Sequence, residues 1–359
     1  MQLDQDTLAR RRRVLGEDHP DTLTSASNLA ISLRAVGGHP DTLTSAFRLA
    51  NSLLHRREHQ AARELGEDTL ARRRRVLGED HPDTLASADG LAVSLRAVGG
   101  HPGTVTSASN LAAIVGHPGE YQAARELGED TLARRRRVLG EDHPDTLTTA
   151  SGLALSLRVV GENQAARELD EDTLDRRRRV LGPDHPDTLA SADNLAFSLQ
   201  GVRGGQAALE LAEDTLARRR RVLGEDHPDT LTSADNLVLF LGRVGEEQAA
   251  RELAEDTLAR RRRVLGEDHP DTLWSAFSLV GTLMALREYH AARELNDDII
   301  ARRRRGLGDE HPLTMMARGF DLILRGLDLG GEPDWMAALR EASKRSQQEA
   351  RELNEDEPG

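Results

Sequence analysis

From residue 143 onward the apolar positions return at steps of three, four and seven. In HPDTLTTASGLALSLRVVGENQAARELDEDTLDRRRRVLGPD, Leu147, Ala150, Leu153, Ala154 and Leu157 share one face of a helix. Gly161 interrupts that pattern at a polar turn. Ala165, Ala166, Leu169, Thr173, Leu174, Arg177 and Val180 then mark a second helix, which Gly182 and Pro183 close. The block predicts two antiparallel helices, A and B, joined by a short turn.

The block repeats. His143, His185, His227, His269 and His311, each followed by Pro, stand 42 residues apart. The two earlier intervals, from His19 and His81, are 62 residues long, and each holds another His-Pro 20 residues in, at His39 and His101. A period of this length is the signature of a stacked repeat array. The predicted fold is all-α: a right-handed α-solenoid of antiparallel helix pairs, with irregular repeats in the N-terminal third. Residues 1–18 read as an orphan helix B of a truncated repeat. Residues 19–142 read as two near-identical units of 62 residues, each with an extra helix A. Residues 143–310 read as four regular repeats, 311–351 as a degenerate C-terminal cap, and 352–359 as a disordered tail. The unpaired A helices predict a kink or register change around 37–40 and 99–102, or one A helix lying loosely on the surface.

The phrase LGEDHPDTL, at residue 15 and again at 77, 139, 223 and 265, marks the passage from B to A. Its Gly suits the left-handed residue that ends a helix. Asp142 or His143 would cap the next helix, Pro144 fits its first turn, and Asp145 meets its positive end. A histidine recurring in every repeat reads as a boundary residue, not as a catalyst.

Composition narrows the chemistry. With 38% hydrophobic but only 3% aromatic residues, the core is built of Leu, Ala and Val, which favours helices. The chain has no cysteine, so disulfides, thiolate nucleophiles and thiolate metal sites are excluded. No segment has the ~18 uninterrupted apolar residues of a membrane span, and the start lacks a signal-peptide core, so a cytoplasmic protein with no membrane partner is expected. A net charge of −13 opposes diffuse attraction to nucleic acid. Arginine blocks at 10–13, 72–75, 134–137, 176–179, 218–221, 260–263 and 302–305 offer a local exception. They lie in the last turns of helix B, where they complement the helix dipole and pair with preceding carboxylates. Four successive positions wrap the helix and cannot all face one ligand. No singular Ser-His-Asp set, metal-spaced cluster or Gly-rich phosphate loop occurs, so no catalytic residue, cofactor or metal is expected.

The repeat resembles the tetratricopeptide family, in its 42-residue, kinesin-light-chain-like variety common in bacterial regulatory proteins. Asn28-Leu29-Ala30, Asn110-Leu111-Ala112 and Asn194-Leu195-Ala196 carry its helix A core, and Asn236-Leu237 keeps part of it. Leu33, Leu95, Leu157 and Leu199 stand where the family has a large residue facing helix B. Ala62, Ala124, Ala166, Ala208, Ala250 and Ala292 match its small residue. The family's mid-helix-B aromatic is missing, and Leu169 and Leu211 are expected to fill its volume. In the last unit, Phe320 and Asp321 replace the Asn-Leu pair, and Trp335 to Arg351 form a capping helix without an arginine block.

The resemblance implies a non-enzymatic scaffold that binds a protein or peptide on the concave wall formed by the A helices. Its groove residues would be Asn28, Asn110, Asn194, Asn236, Asp193, Asp235, Arg34, Arg96, Arg158 and Gln200. A ladder of Asn amides, each both donor and acceptor, suits an extended backbone. Trp274 joins this set because it stands where other repeats have Thr or Ala. The equivalent of Asn194 varies to Phe47, Gly90, Gly152 and Ser278, while Phe240 reads as packing. Two further readings accompany this one: a binder of RNA or another polyanion through the Arg blocks, and a remnant of the sensor region of a larger signalling ATPase. The uncapped N-terminal end also suggests self-association.

Overall fold

The structure is a computed structural model that describes residues 40–55, 58–99, 118–201, 205–309 and 311–328. These residues form thirteen helices and no strand. Helices of type A are α1 (Pro40–His55), α3 (Pro82–Gly99), α5 (Pro144–Val159), α7 (Pro186–Gly201), α9 (Pro228–Val244), α11 (Pro270–Ala285) and α13 (Pro312–Asp328). Helices of type B alternate with them: α2 (His59–Leu77), α4 (Pro118–Leu139), α6 (Asn163–Leu181), α8 (Gly205–Leu223), α10 (Glu247–Leu265) and α12 (Tyr289–Leu307). Two compact units divide between Val222 and Leu223. In each, helices adjacent in this order pack on one another in series, the arrangement of a helix-pair solenoid.

Most letters of the recurring phrase have a structural task. The glycines Gly140, Gly182 and Gly266 end their helices at φ near +90°, and each amide donates to a carbonyl one turn back. Gly182 and Gly266 have ψ of 161° and 166°, a mirror-extended conformation open to glycine and not the left-handed helical one expected from the sequence. The N-cap is the histidine. His143, His227 and His269 have extended backbones, and Nδ1 of each accepts the N–H of the Asp two residues on, at 3.2 Å. Proline follows at the first helical position, where its missing N–H costs nothing. The threonine ties the turn together: Thr146 Oγ1 donates to the Gly140 carbonyl and Thr272 Oγ1 to that of Gly266. The final leucine, as Leu147 or Leu231, is buried.

The alanines of helix B, Ala62, Ala124, Ala166, Ala208, Ala250 and Ala292, have no exposed surface. A residue without a long side chain lets helix A approach closely there. Leu153 and Leu157 meet Ala166 in one cluster, and Leu169 packs against it from the place expected to replace the aromatic. Leu211 does the same beside Leu195. Phe240 is buried, as its packing role requires. Val180, expected on the buried face, is instead largely exposed, as are Val76, Val138, Val222 and Val264. The two positions directly before it in each described repeat are exposed arginines.

In the N-terminal part, α3 packs on α4, although residues 100–117 separate them in sequence. Ala124 of α4 completes a core with Leu91 and Leu95 of α3. The helix beginning after His81 therefore occupies the A position of this pair. The orphan helix at 1–18, the extra helix A after His101, the kink at 37–40 and 99–102, and the capping helix at 335–351 fall wholly or largely outside the described residues.

Candidate functional site

In the described blocks the second arginine is buried. Arg73 Nη1 donates to the Asp83 carbonyl at 2.6 Å and Ser87 Oγ at 2.9 Å, and Nη2 to Thr44 Oγ1 at 3.2 Å. Arg177 repeats this with the Asp187 carbonyl, Ser191 and Thr148. These two guanidinium groups thus tie their own repeats to the next. The remaining neighbour of the second arginine is the eighth residue after the cap histidine. At that place Arg135 pairs with Asp89, Arg219 with Asp193 at 2.9 Å, and Arg261 with Asp235 at 3.0 Å. Phenylalanine takes the same place for Arg73, which lies 5.2 Å from the Phe47 ring, and for Arg303, 5.6 Å from Phe277. Phe47 is therefore the counterpart of Asp193, one place earlier than the sequence reading put it.

The first and fourth arginines face outward and grip the turn before their own helix A. Arg134 and Arg137 share Asp80, Arg176 and Arg179 share Asp142, and Arg218 and Arg221 share Asp184. Arg260 and Arg263 share Asp226 in the second unit. The first arginine also holds the Asp four residues before it, as Arg176 holds Asp172. Hydrogen bonds from these arginines hold Asp80 and Asp142 below the usual carboxylate range.

The groove residues named from the sequence separate into three kinds. Asp193 and Asp235 are buried ion-pair partners of Arg219 and Arg261, and Asn236 is fully buried. Burial raises the Asp235 carboxyl to about 6 against the pull of Arg261. Arg96 and Arg158 bridge successive A helices. A Cβ at Gly152 would lie 3.3 Å from Arg96 Nη2, so glycine there makes room for that side chain. Desolvation lowers the Arg96 pKa to about 10. Arg158 Nη1 donates to the Asn194 carbonyl at 3.0 Å and Ser198 Oγ at 3.1 Å. Asn194, Gln200 and Trp274 are the third kind, half-buried. The side-chain amides of Asn194 and Gln200 have no hydrogen-bond partner among the described residues. Asn28, Asn110 and Arg34 lie outside the described residues.

One participant was missed. Asp170, on helix B where other repeats have Gly, Ala or Asn, lies 3.0 Å from Arg158 and accepts from Ser198 Oγ at 2.5 Å. Burial raises its carboxyl to about 6. Its departure from the small residues Gly66, Gly128, Ala212 and Ala254 was the available signal.

Successive A helices also touch directly, α1 with α3, α3 with α5 and α5 with α7, and α9 with α11 in the second unit. Asn194 and Gln200 lie on α7 of the first unit, and Trp274 on α11 of the second. No helix among the described residues is long and apolar enough to cross a membrane.

The family model for the tetratricopeptide repeat matches residues 1–21, 42–83, 104–145, 146–187, 188–229, 230–271 and 272–313. Its third match joins 104–117 to helix α4, whereas in the structure α3 packs there. No curated protein matches the sequence. Among solved structures, a Podosopora anserina putative kinesin light chain, with nearly identical TPR-like repeats, is 30% identical. That match covers 63% of this chain and 97% of that one, with a TM-score of 0.50. NprR in complex with its cognate peptide NprX is 14% identical over 95% of this chain and 88% of its own, with a TM-score of 0.55. A Rap protein complexed with Competence and Sporulation Factor is 12% identical over 97% and 92%, with a TM-score of 0.53. The last two share the fold alone. With the family model covering most of its length and helix pairs of the matching kind, the chain belongs to the tetratricopeptide repeat family.

Proposed function

We propose that the chain is a non-catalytic scaffold that binds a peptide or an extended protein segment along its A helices. The observation that carries this reading is the contrast between the two kinds of helix. On helix B the first and fourth arginines are held by turn carboxylates and the second is buried. On helix A, Asn194 and Gln200 present amides with no partner among the described residues, six positions apart along α7. An amide donates and accepts at once, which matches the repeating N–H and C=O of an extended chain. The complex of NprR with its cognate peptide NprX, which shares the fold, agrees with this reading.

The same contrast weighs against the polyanion reading. Arginines that first have to leave their own carboxylates gain less from neutralising the phosphates of an RNA. The test is a displayed library of random peptides panned on the whole chain. Selected peptides should bind at least about tenfold more weakly to the Asn194→Ala/Gln200→Ala variant, since hydrogen bonds to the ligand are lost. They should bind equally to Arg178→Ala/Arg220→Ala. The opposite pattern, or a steep fall of affinity with salt, would overturn the assignment of this face.

A further inference from the structure

Arg303 is the least satisfied in the row of buried arginines. At the place of Asp89, Asp193 and Asp235 its neighbour is the Phe277 ring, as Phe47 is for Arg73, but Arg73 keeps two hydroxyl partners that Arg303 lacks. Ala317 stands where Ser87, Thr149 or Ser191 offers a hydroxyl to the equivalent arginine. Trp274 stands where Thr44, Thr148 and Thr232 bond to Arg73, Arg177 and Arg261. Arg303 keeps one strong contact, the Leu313 carbonyl at 2.8 Å, and is 2% exposed. No carboxylate pairs with it among the described residues, and desolvation alone lowers its pKa to about 10.

Two further donors at this place are idle. Trp274 Nε1 and Ser278 Oγ are buried and have no hydrogen-bond partner among the described residues. They stand one turn apart on α11 and so share a face. The threonines equivalent to Trp274 are in hydrogen-bond contact with their arginines, which puts this face beside the guanidinium. Apolar walls complete the site: Trp274 lies 6.3 Å from Phe277, and Phe320 of α13 meets Phe277 edge-on at 4.9 Å. A buried cation without counter-charge is costly, and idle buried donors add to that cost.

We propose that the site between α11 and α13 binds a carboxylate of a peptide, with an apolar side chain of the same peptide against Trp274 and Phe320. The other repeats identify the anion. Where an arginine of this row has a charged partner at this place, the partner is a carboxylate of the chain itself, and the ligand supplies that group here. One guanidinium matches the single charge of a carboxylate and leaves a phosphate dianion half-neutralised. The inference deepens the peptide-binding reading and rests on it.

The probes are acetyl-Ala-Leu with a free carboxylate, the same dipeptide as its C-terminal amide, and acetyl-Glu-Leu amide, with inorganic phosphate as a control. Binding to the full chain is read from the indole N–H resonance of Trp274, assigned with Trp274→Phe. Either or both of the carboxylate-bearing peptides should shift that resonance and bind at least about tenfold more tightly than acetyl-Ala-Leu amide. The free acid binding alone identifies a peptide terminus as the source, and acetyl-Glu-Leu amide binding alone identifies an acidic side chain. Phe277→Asp, which rebuilds the internal ion pair, should abolish the shift while the variant unfolds at no lower temperature. Equal binding of acid and amide, tighter binding of phosphate, unchanged binding to Phe277→Asp, or no shift with any peptide would overturn the proposal. Those results leave the Asn194 and Gln200 test on α7 unaffected, so the two readings can fail separately.

Discussion

Arg219 lies 2.9 Å from Asp193, and both side chains are almost wholly shielded from water. The pair joins the end of α8 to the middle of α7. Breaking it from one side strands a buried charge. Arg219→Met should destabilise the chain by about 3 kcal/mol or more, and Arg219→Met/Asp193→Leu should recover much of that loss. Arg220→Ala, an exposed neighbour in the same block, should change stability by about 0.5 kcal/mol or less. Urea denaturation of the four proteins measures this. Equal losses at 219 and 220 would remove the distinct role of the second arginine.

The cap histidines make a second prediction. His227 Nδ1 accepts the Asp229 N–H at 3.2 Å and caps that helix. His227→Ala should cost about 1 kcal/mol, whereas His227→Asn, another acceptor at the same place, should cost a few tenths. Thermal unfolding of both variants distinguishes the cap from a packing role, in which Asn would fare no better than Ala.

Much of this was legible beforehand. The helix pairs could be read because the same apolar spacing recurs unchanged from His143 to His311 and each passage from B to A carries its own stop and start residues. The four-arginine blocks were legible as wrapping a helix, but not as a buried second arginine flanked by a first and fourth that hold the same turn carboxylate. Those contacts depend on which neighbouring helix comes within reach, and local pattern does not contain that. Asp193 and Asp235 therefore looked like groove residues, although their carboxylates turn inward to Arg219 and Arg261. Comparing the repeats offered one clue: the place holds Asp or Phe in most repeats, two side chains that suit a guanidinium in different ways. Which A helix would pair with α4 was not legible, because His81 and His101 begin nearly equivalent segments.

Asp170 leads to a pH prediction. Burial raises its folded pKa to about 6, above the ~3.9 of an unfolded aspartate. The folded chain therefore binds this proton more tightly than the unfolded chain does. The stability it contributes is fully present below about pH 4 and is lost as pH rises through about 6. Asp170→Asn carries no titrating group there, so its stability lacks this component. Whatever fixed amount the variant loses by leaving Arg158 without its carboxylate, the deficit relative to the natural chain should shrink between pH 5 and pH 7. Paired urea melts at the two values measure it; a deficit that grows with pH would mean that the ion pair with Arg158 outweighs burial.

The turn between A and B supplies the last prediction. Gly161 and Gly245 take positive φ there, at 90° and 85°, and the equivalent residue of the next repeat is Arg287, at φ 62°. Its amide donates to the Met284 carbonyl at 3.0 Å, so the hairpin enforces this conformation despite the side chain. A non-glycine residue in the left-handed region costs roughly 1 kcal/mol, while glycine returns part of that through the greater freedom of the unfolded chain. Arg287→Gly should therefore stabilise the second unit by about 0.5 kcal/mol. Arg287→Ala, which keeps a Cβ and removes only the charged stem, should give no gain. If Ala stabilised as much as Gly, the cost would lie in the arginine side chain and not in the backbone.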